Sequence, residues 1–112
     1  MTPQGFEAAA LALPGATLSI QWGDDHVFKV GGKMFAVTGP HGGCSFKATD
    51  IAFEALTQSG RARPAPYLAR ARWVYFDALG PLDAAEVEGW LATAHQLVAG
   101  KLTKAQRKEL GL

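Results

Sequence analysis

The sequence predicts an α+β fold, with a mainly antiparallel sheet and helices at the N- and C-terminal ends of the chain. Apolar residues recur at helical spacing near both ends, whereas residues 17–47 consist of short β-prone runs separated by turns. Gly31-Gly32 joins two of these runs, and the favoured two-residue hairpin turns need the positive φ that glycine tolerates. Strands that meander between turns, with helices around them, are typical of this class.

The first helix is predicted from about Thr2 to Leu13. Phe6, Ala9, Ala10 and Leu13 lie on one face of it, Thr2 can cap it, and Pro14-Gly15 ends it.

Four strands are predicted next, at Thr17–Trp22, His26–Val30, Lys33–Thr38 and Cys44–Lys47. A two-residue turn at Gly31-Gly32 would pair Val30 with Lys33, Phe28 with Phe35 and His26 with Val37. In that register the core face carries Phe28, Phe35 and Val37, and the other face carries Val27, Lys29, Met34 and Ala36.

The second half of the chain predicts three more helices and one strand. Thr49 or Asp50 can cap a helix that runs to about Gln58, with Ile51, Ala55 and Leu56 as its apolar positions. A connector follows at Arg61–Pro66, and a strand at Trp73–Phe76. The longest helix begins after Asp83 and ends near Ala99, and Thr103 with Gln106 caps a short basic helix at the end.

Length and composition indicate one domain over residues 1–112. The chain is 48% apolar and has a single cysteine, which we expect to be a small buried or half-buried apolar side chain. It has no apolar run near the 20 residues of a membrane span and no basic leader, so we expect no membrane association and a cytoplasmic location.

Catalytic and metal-binding motifs are absent from the sequence. There is no GxGxxG, Walker A, HExxH or GxSxG pattern, and His26, His41 and His95 lack metal-ligand spacing. We therefore expect no enzyme activity, no cofactor and no metal, and we expect His95 at the surface or at its boundary.

The segment from Arg61 to Trp73 is the main candidate for a binding surface. It contains Arg61, Arg63, Arg70 and Arg72 and no acidic residue. Arginine forks suit phosphates and carboxylates, and Tyr67 and Trp73 offer rings for stacking. In an extended segment, Arg70 and Arg72 would share one face, with Trp73 on the other. The alternative is a solvated loop whose Trp73 packs inside.

Several blocks along the chain resemble the MmcQ/YjbR family of small bacterial proteins. They are residues 12–17 (ALPGAT), 22–36 (WGDDHVFKVGGKMFA), 45–47 (SFK), 67–73 (YLARARW) and 97–102 (LVAGKL). The resemblance implies a CyaY-like (frataxin-like) two-layer fold and a DNA-binding role through a double-wing arrangement of hairpins. Arg70 and Arg72 stand where the family usually has lysine and histidine. Iron binding, which the frataxin-like shape suggests, is disfavoured because the first helix offers only Glu7 as a ligand.

Two functions follow as hypotheses. The first is mostly non-specific DNA binding through Arg61, Arg63, Arg70 and Arg72, together with the hairpin lysines Lys29, Lys33 and Lys47. The second is a non-catalytic module in which the same side chains bind an acidic protein or an anionic small molecule.

Overall fold

The computed structural model describes residues 1–112 and has one six-stranded sheet with four α-helices. The helices are α1 (Pro3–Leu11), α2 (Asp50–Gln58), α3 (Ala84–Ala99) and α4 (Lys104–Glu109). The strands are β1 (Ala16–Gln21), β2 (Asp25–Val30), β3 (Lys33–Thr38), β4 (Cys44–Lys47), β5 (Arg63–Pro64) and β6 (Trp73–Phe76). Their order is β1-β2-β3-β4-β6-β5, with every neighbouring pair antiparallel. The predicted α+β class is confirmed.

Each α-helix begins after a polar residue whose side chain accepts a hydrogen bond from a backbone N–H in the first turn. These residues are Thr2, Thr49, Asp83 and Thr103. Thr103 and Gln106 form the reciprocal capping box that their spacing predicts. Helix α1 ends at Leu11, two residues earlier than predicted. None of the helices is both long enough and apolar enough to cross a membrane.

The β2–β3 hairpin contains a bulge that the sequence did not predict. Val30 pairs with Lys33 as expected, but the register shifts beyond Lys29, so Phe28 pairs with Ala36 and Val27 with Val37. The predicted pairing of Phe28 with Phe35 is therefore wrong. The extra residue lets Phe35 and Ala36 both join the core, while Val37 moves to the other face of the sheet.

One hydrophobic core fills the space between the sheet and helices α1, α2 and α3. Its largest fully buried side chains include Phe6, Phe28, Phe35, Phe46 and Leu91. Trp90 of α3 stacks on Phe46 and Phe76 with ring centroids 5.5 and 5.3 Å apart. All three helices contribute to this one core, so they lie on the same side of the sheet. Leu110, at the end of α4, packs against the same core, so no α-helix lies on the other face of the sheet.

Two side chains differ from their predicted environments. His95 is buried, not at the surface, because its Nε2 lies 2.7 Å from the carbonyl oxygen of Pro14 and its ring packs edge-on against Phe35. A carbonyl that pairs with the imidazole makes this burial acceptable. Ile51 is 84% exposed, because Phe53 and Leu56 take the core-facing positions of α2.

Candidate nucleic-acid interface

Three of the four arginines in the Arg61–Trp73 segment are paired with carboxylates. Arg61 pairs with Glu86, Arg63 with Asp77 and Arg72 with Asp50. Each partner comes from outside the segment, so the absence of acids within it did not predict its electrostatic environment. A guanidinium that already faces a carboxylate offers less net positive charge to a polyanion.

Arg61 is held most firmly of the three. Its two terminal nitrogens donate to both oxygens of Glu86, at 3.1 and 2.7 Å, and its guanidinium lies 5.5 Å from the ring centroid of Trp90. The hydrogen bond from Arg61 lowers the pKa of the Glu86 carboxyl, and the same bond raises the pKa of Arg61. This arrangement anchors the start of α3 to the residues that follow α2.

Arg63 and Arg72 also lie over aromatic rings. The Arg63 guanidinium is 5.2 Å from the ring centroid of Tyr75, and that of Arg72 is 5.3 Å from the ring centroid of Phe53. Both contacts are within the range of cation–π interactions. The Arg72 Nε donates to Asp50 at 2.9 Å.

The backbone before β6 is not extended, in contrast to the prediction. Ala69–Ala71 forms a 3₁₀ turn, and Arg72 adopts the left-handed conformation with φ 62°. The expected alternation that would set Arg70 and Arg72 on one face therefore does not exist. Arg70 is exposed and forms no ion pair, whereas Trp73 is buried in β6 as the structural interpretation predicted.

Lysines and arginines gather at one end of the sheet. The β2–β3 turn, the end of β4 and the start of β6 lie at this end because the strands are antiparallel. Helix α3 also ends here, since Leu102 contacts Gly31 in that turn, and α4 places Leu110 beside Gly15 and Val30. We call this region the basic end. It comprises Lys29, Lys33, Lys47, Arg70, Arg72, Lys101, Lys104, Arg107 and Lys108.

Most of the basic end is not neutralised by carboxylates. Of the 11 lysines and arginines in the chain, all except Arg61 and Arg63 belong to it, and only Arg72 among its members forms an ion pair. Lys47 donates to the carbonyl oxygen of Ala71 at 2.6 Å. Burial lowers the pKa of Lys47, and the neighbouring Lys101 ammonium lowers it further, although Asp50 raises it. Two cations are thus held close together at this end.

The opposite end of the molecule is acidic. It contains the β1–β2 turn, the residue after β6 and the beginning of α3, which carry Asp24, Asp25, Asp77, Asp83 and Glu86. Arg61 and Arg63 lie at this acidic end, where they meet Glu86 and Asp77. The seven sequence-predicted residues therefore do not form one surface. The structure brings Lys29, Lys33, Lys47, Arg70 and Arg72 to one end and Arg61 and Arg63 to the other.

The C-terminal cations were missing from the predicted site. Lys101, Lys104, Arg107 and Lys108 are visible in the sequence as a basic tail. Their position beside the hairpin lysines depends on the contact between Leu102 and Gly31, which are far apart in the chain. A charge count could have identified these residues as basic, but only the fold places them at the same end as Lys33 and Lys47.

Burial and clustering in the fold define the environments of Cys44 and of the side chains that could ligate a metal. His26 Nδ1 lies 3.9 Å from a carboxylate oxygen of Glu7 at the surface. Cys44 is buried as predicted, and burial raises the pKa of its thiol to about 12. Such a thiol is a poor nucleophile because the reactive species is the thiolate. No cluster of three or more His, Cys, Asp or Glu side chains is positioned to hold a metal ion.

Comparison with known proteins identifies a family and a similar solved structure. The YjbR family model matches residues 11–97. The crystal structure of Deinococcus radiodurans protein DR2400, which has a DUF419 domain, is similar with a TM-score of 0.85 and 30% sequence identity. That alignment covers 99% of this chain and 88% of DR2400. A search of curated proteins gives no match.

Proposed function

The chain belongs to the YjbR family, and we propose that it is a non-catalytic DNA-binding protein whose basic end contacts phosphates. The observation that carries the proposal is the separation of charge along the molecule. The formal net charge is only +1, yet nearly all the lysines and arginines lie at one end. Because the Debye length is about 8 Å at physiological salt, DNA responds to this local charge and not to the net charge.

The proposed surface differs from the one that the sequence suggests. It keeps Lys29, Lys33, Lys47, Arg70 and Arg72, and it adds Lys101, Lys104, Arg107 and Lys108. It leaves out Arg61 and Arg63, because they lie at the acidic end, where Glu86 and Asp77 match their charges. Arg72 is kept because it lies at the basic end, although Asp50 pairs with it. Lys47 and Lys101 support the proposal further, since a phosphate between two close ammonium groups would relieve their repulsion.

We expect the binding to be weak and mostly independent of sequence. The helix that carries cations at the basic end, α4, spans only Lys104–Glu109, which is too short to present a reading face in a groove. Binding through phosphates alone gives a Kd of roughly 10⁻⁴–10⁻⁶ M at physiological salt. If four cations meet phosphates, log K should fall with log salt at a slope of about −3.6.

The test compares two double variants that remove the same formal charge from opposite ends. Lys33→Gln with Lys101→Gln removes two cations from the basic end, and Arg61→Gln with Arg63→Gln removes two from the acidic end. Fluorescence anisotropy with a labelled DNA duplex, measured across a salt series, gives the affinity and the slope. We expect the first double variant to weaken binding and to reduce the slope by about 1.8, and the second to leave both nearly unchanged.

The outcomes that contradict the proposal are distinct. Absence of binding at low salt and high micromolar protein would refute DNA binding altogether. Equal loss in both double variants would show that the basic end is not the contact surface. The interaction module would be favoured instead by two results together. The chain binds no DNA duplex, and it still captures a partner protein through the basic end after nuclease treatment.

A further inference from the structure

A groove lies on the face of the sheet that has no helix. Its floor is a cross-strand row formed by Val37, Ser45 and Tyr75, which the register of β3, β4 and β6 places side by side. Trp22 from the β1–β2 turn and Tyr67 from the segment before β6 also line it. The groove has a volume of about 700 Å³. This is within the usual size of small-molecule sites, which are about 300–1,000 Å³.

The two lining aromatic rings are held outward by an unfavourable backbone. Trp22 has φ 50° and Tyr67 has φ 65°, and Arg72 is the only other non-glycine residue with positive φ. The left-handed conformation costs an L-residue roughly 1–2 kcal/mol. The two side chains recover little of this by packing, since Trp22 is 67% exposed and Tyr67 is fully exposed. Strain that holds exposed rings around a concave surface is typical of a binding site.

The charge of the groove selects the kind of ligand. Asp25 is the only acidic residue that lines it, His41 is its only histidine, and no lysine or arginine lines it. The Arg63 guanidinium lies 5.2 Å from the ring centroid of Tyr75, but the positive charge of Arg63 is paired with the carboxylate of Asp77. The electron-rich faces of tryptophan and tyrosine attract cations. Carboxylate and rings therefore favour the same positive ligand, and the groove disfavours an anion.

We propose that this groove binds a small organic cation, an ammonium compound with an apolar body, between Trp22 and Tyr67 and beside Asp25. The hydroxyl groups of Ser45 and Tyr75 have no hydrogen-bond partner within the protein, so they can orient polar atoms of the ligand. The close approach of the Tyr75 hydroxyl to Gly43 fixes the position of the ring, since a Cβ on Gly43 would lie 2.6 Å from that oxygen. The site adjoins the basic end, since Met34 lines the groove and pairs with Lys29, but no lysine or arginine lines it and it does not depend on DNA binding.

The first experiment measures ligand class. Isothermal titration calorimetry compares benzyltrimethylammonium, benzyl alcohol and benzoate, which share an aromatic ring and differ in charge. We expect the cation to bind with roughly millimolar affinity. The neutral and anionic probes should bind at least about tenfold more weakly. Benzoate binding as tightly as the cation, or a cation that does not bind, would overturn the proposal.

The second experiment locates the site with variants that are expected to fold. Trp22→Gly and Tyr67→Gly remove a ring and relieve the positive φ at the same time, so neither should reduce stability. Each should weaken cation binding by about threefold to thirtyfold. Asp25→Asn should weaken it as well, and Ile20→Ala serves as the control because Ile20 is exposed but does not line the groove. Unchanged cation affinity in both glycine variants would refute the assigned site.

Discussion

Gly31 and Gly32 form the turn between β2 and β3, and replacing each with alanine gives a matched pair of perturbations. Both have positive φ, 59° and 78°, so alanine at either position is strained by about 1–2 kcal/mol. A Cβ on Gly32 would meet nothing within 4 Å. A Cβ on Gly31 would lie 2.7 Å from both Cδ atoms of Leu102, which is a severe overlap.

The overlap at Gly31 sets the size of the expected difference. Leu102 is buried, so it cannot turn into solvent to make room, and overpacking of a core typically costs about 1–3 kcal/mol. We therefore expect Gly32→Ala to lower the free energy of unfolding by about 1–2 kcal/mol and Gly31→Ala by about 2–5 kcal/mol. Equilibrium urea denaturation, with an unchanged m-value, measures both.

A third substitution tests the cause. In a Leu102→Ala background the overlap disappears, so both glycine variants should then cost the same. If Gly31→Ala is no worse than Gly32→Ala in the wild-type background, Leu102 does not press on the turn. The contact that sets Lys101 at the same end of the molecule as Lys33 would then be absent as well, since Leu102 holds the hairpin tip against the end of α3.

Two further predictions follow from pKa shifts. Burial raises the pKa of the Cys44 thiol from 9.0 to about 12, so iodoacetamide should modify it in urea but scarcely in the native protein at about pH 8. Because this folded pKa is raised, its stabilising contribution is full below pH 9.0 and is lost as the pH rises towards 12. The hydrogen bond from Arg61 lowers the pKa of Glu86 in the folded protein. The contribution of the Arg61–Glu86 pair to the free energy of unfolding is therefore present above the ordinary carboxyl pKa, and it is lost as the pH falls through the folded pKa. Arg61→Met should therefore lower the urea midpoint at about pH 7 but not at about pH 2, and an equal change at both would contradict the role of the pair.

Local patterns in the sequence were sufficient for most of the elements. Thr2, Thr49, Asp83 and Thr103 cap the helices where their side chains predict, because capping acts over three residues of chain. The Gly31-Gly32 turn and the pairing of Val30 with Lys33 also follow from neighbouring residues. The family and fold class that the sequence blocks suggest agree with the family match and the similar structure.

The site was predicted only in part, because it depends on contacts between distant segments. Arg61 pairs with Glu86, which is 25 residues away in the chain, and Arg72 pairs with Asp50, which is 22 residues away. The absence of acids within the segment therefore did not show that these arginines are paired. Likewise, the bulge at Phe35 lets the consecutive residues Phe35 and Ala36 both pack in the core. The alternating pattern of a regular strand does not predict this.

The sequence alone determined that this chain is an α+β domain with capped helices, a glycine hairpin and a basic C-terminal half. Those features arise from interactions within a few residues. Which cations remain available, and which aromatic rings face a groove, depends on how distant segments meet in the fold. Electrostatics and burial depend on distances through space. The antiparallel sheet places Lys33 and Lys47 at one end, the contact of Leu102 with the Gly31 turn brings Lys101 to the same end, and Arg61 and Arg63 meet carboxylates at the other.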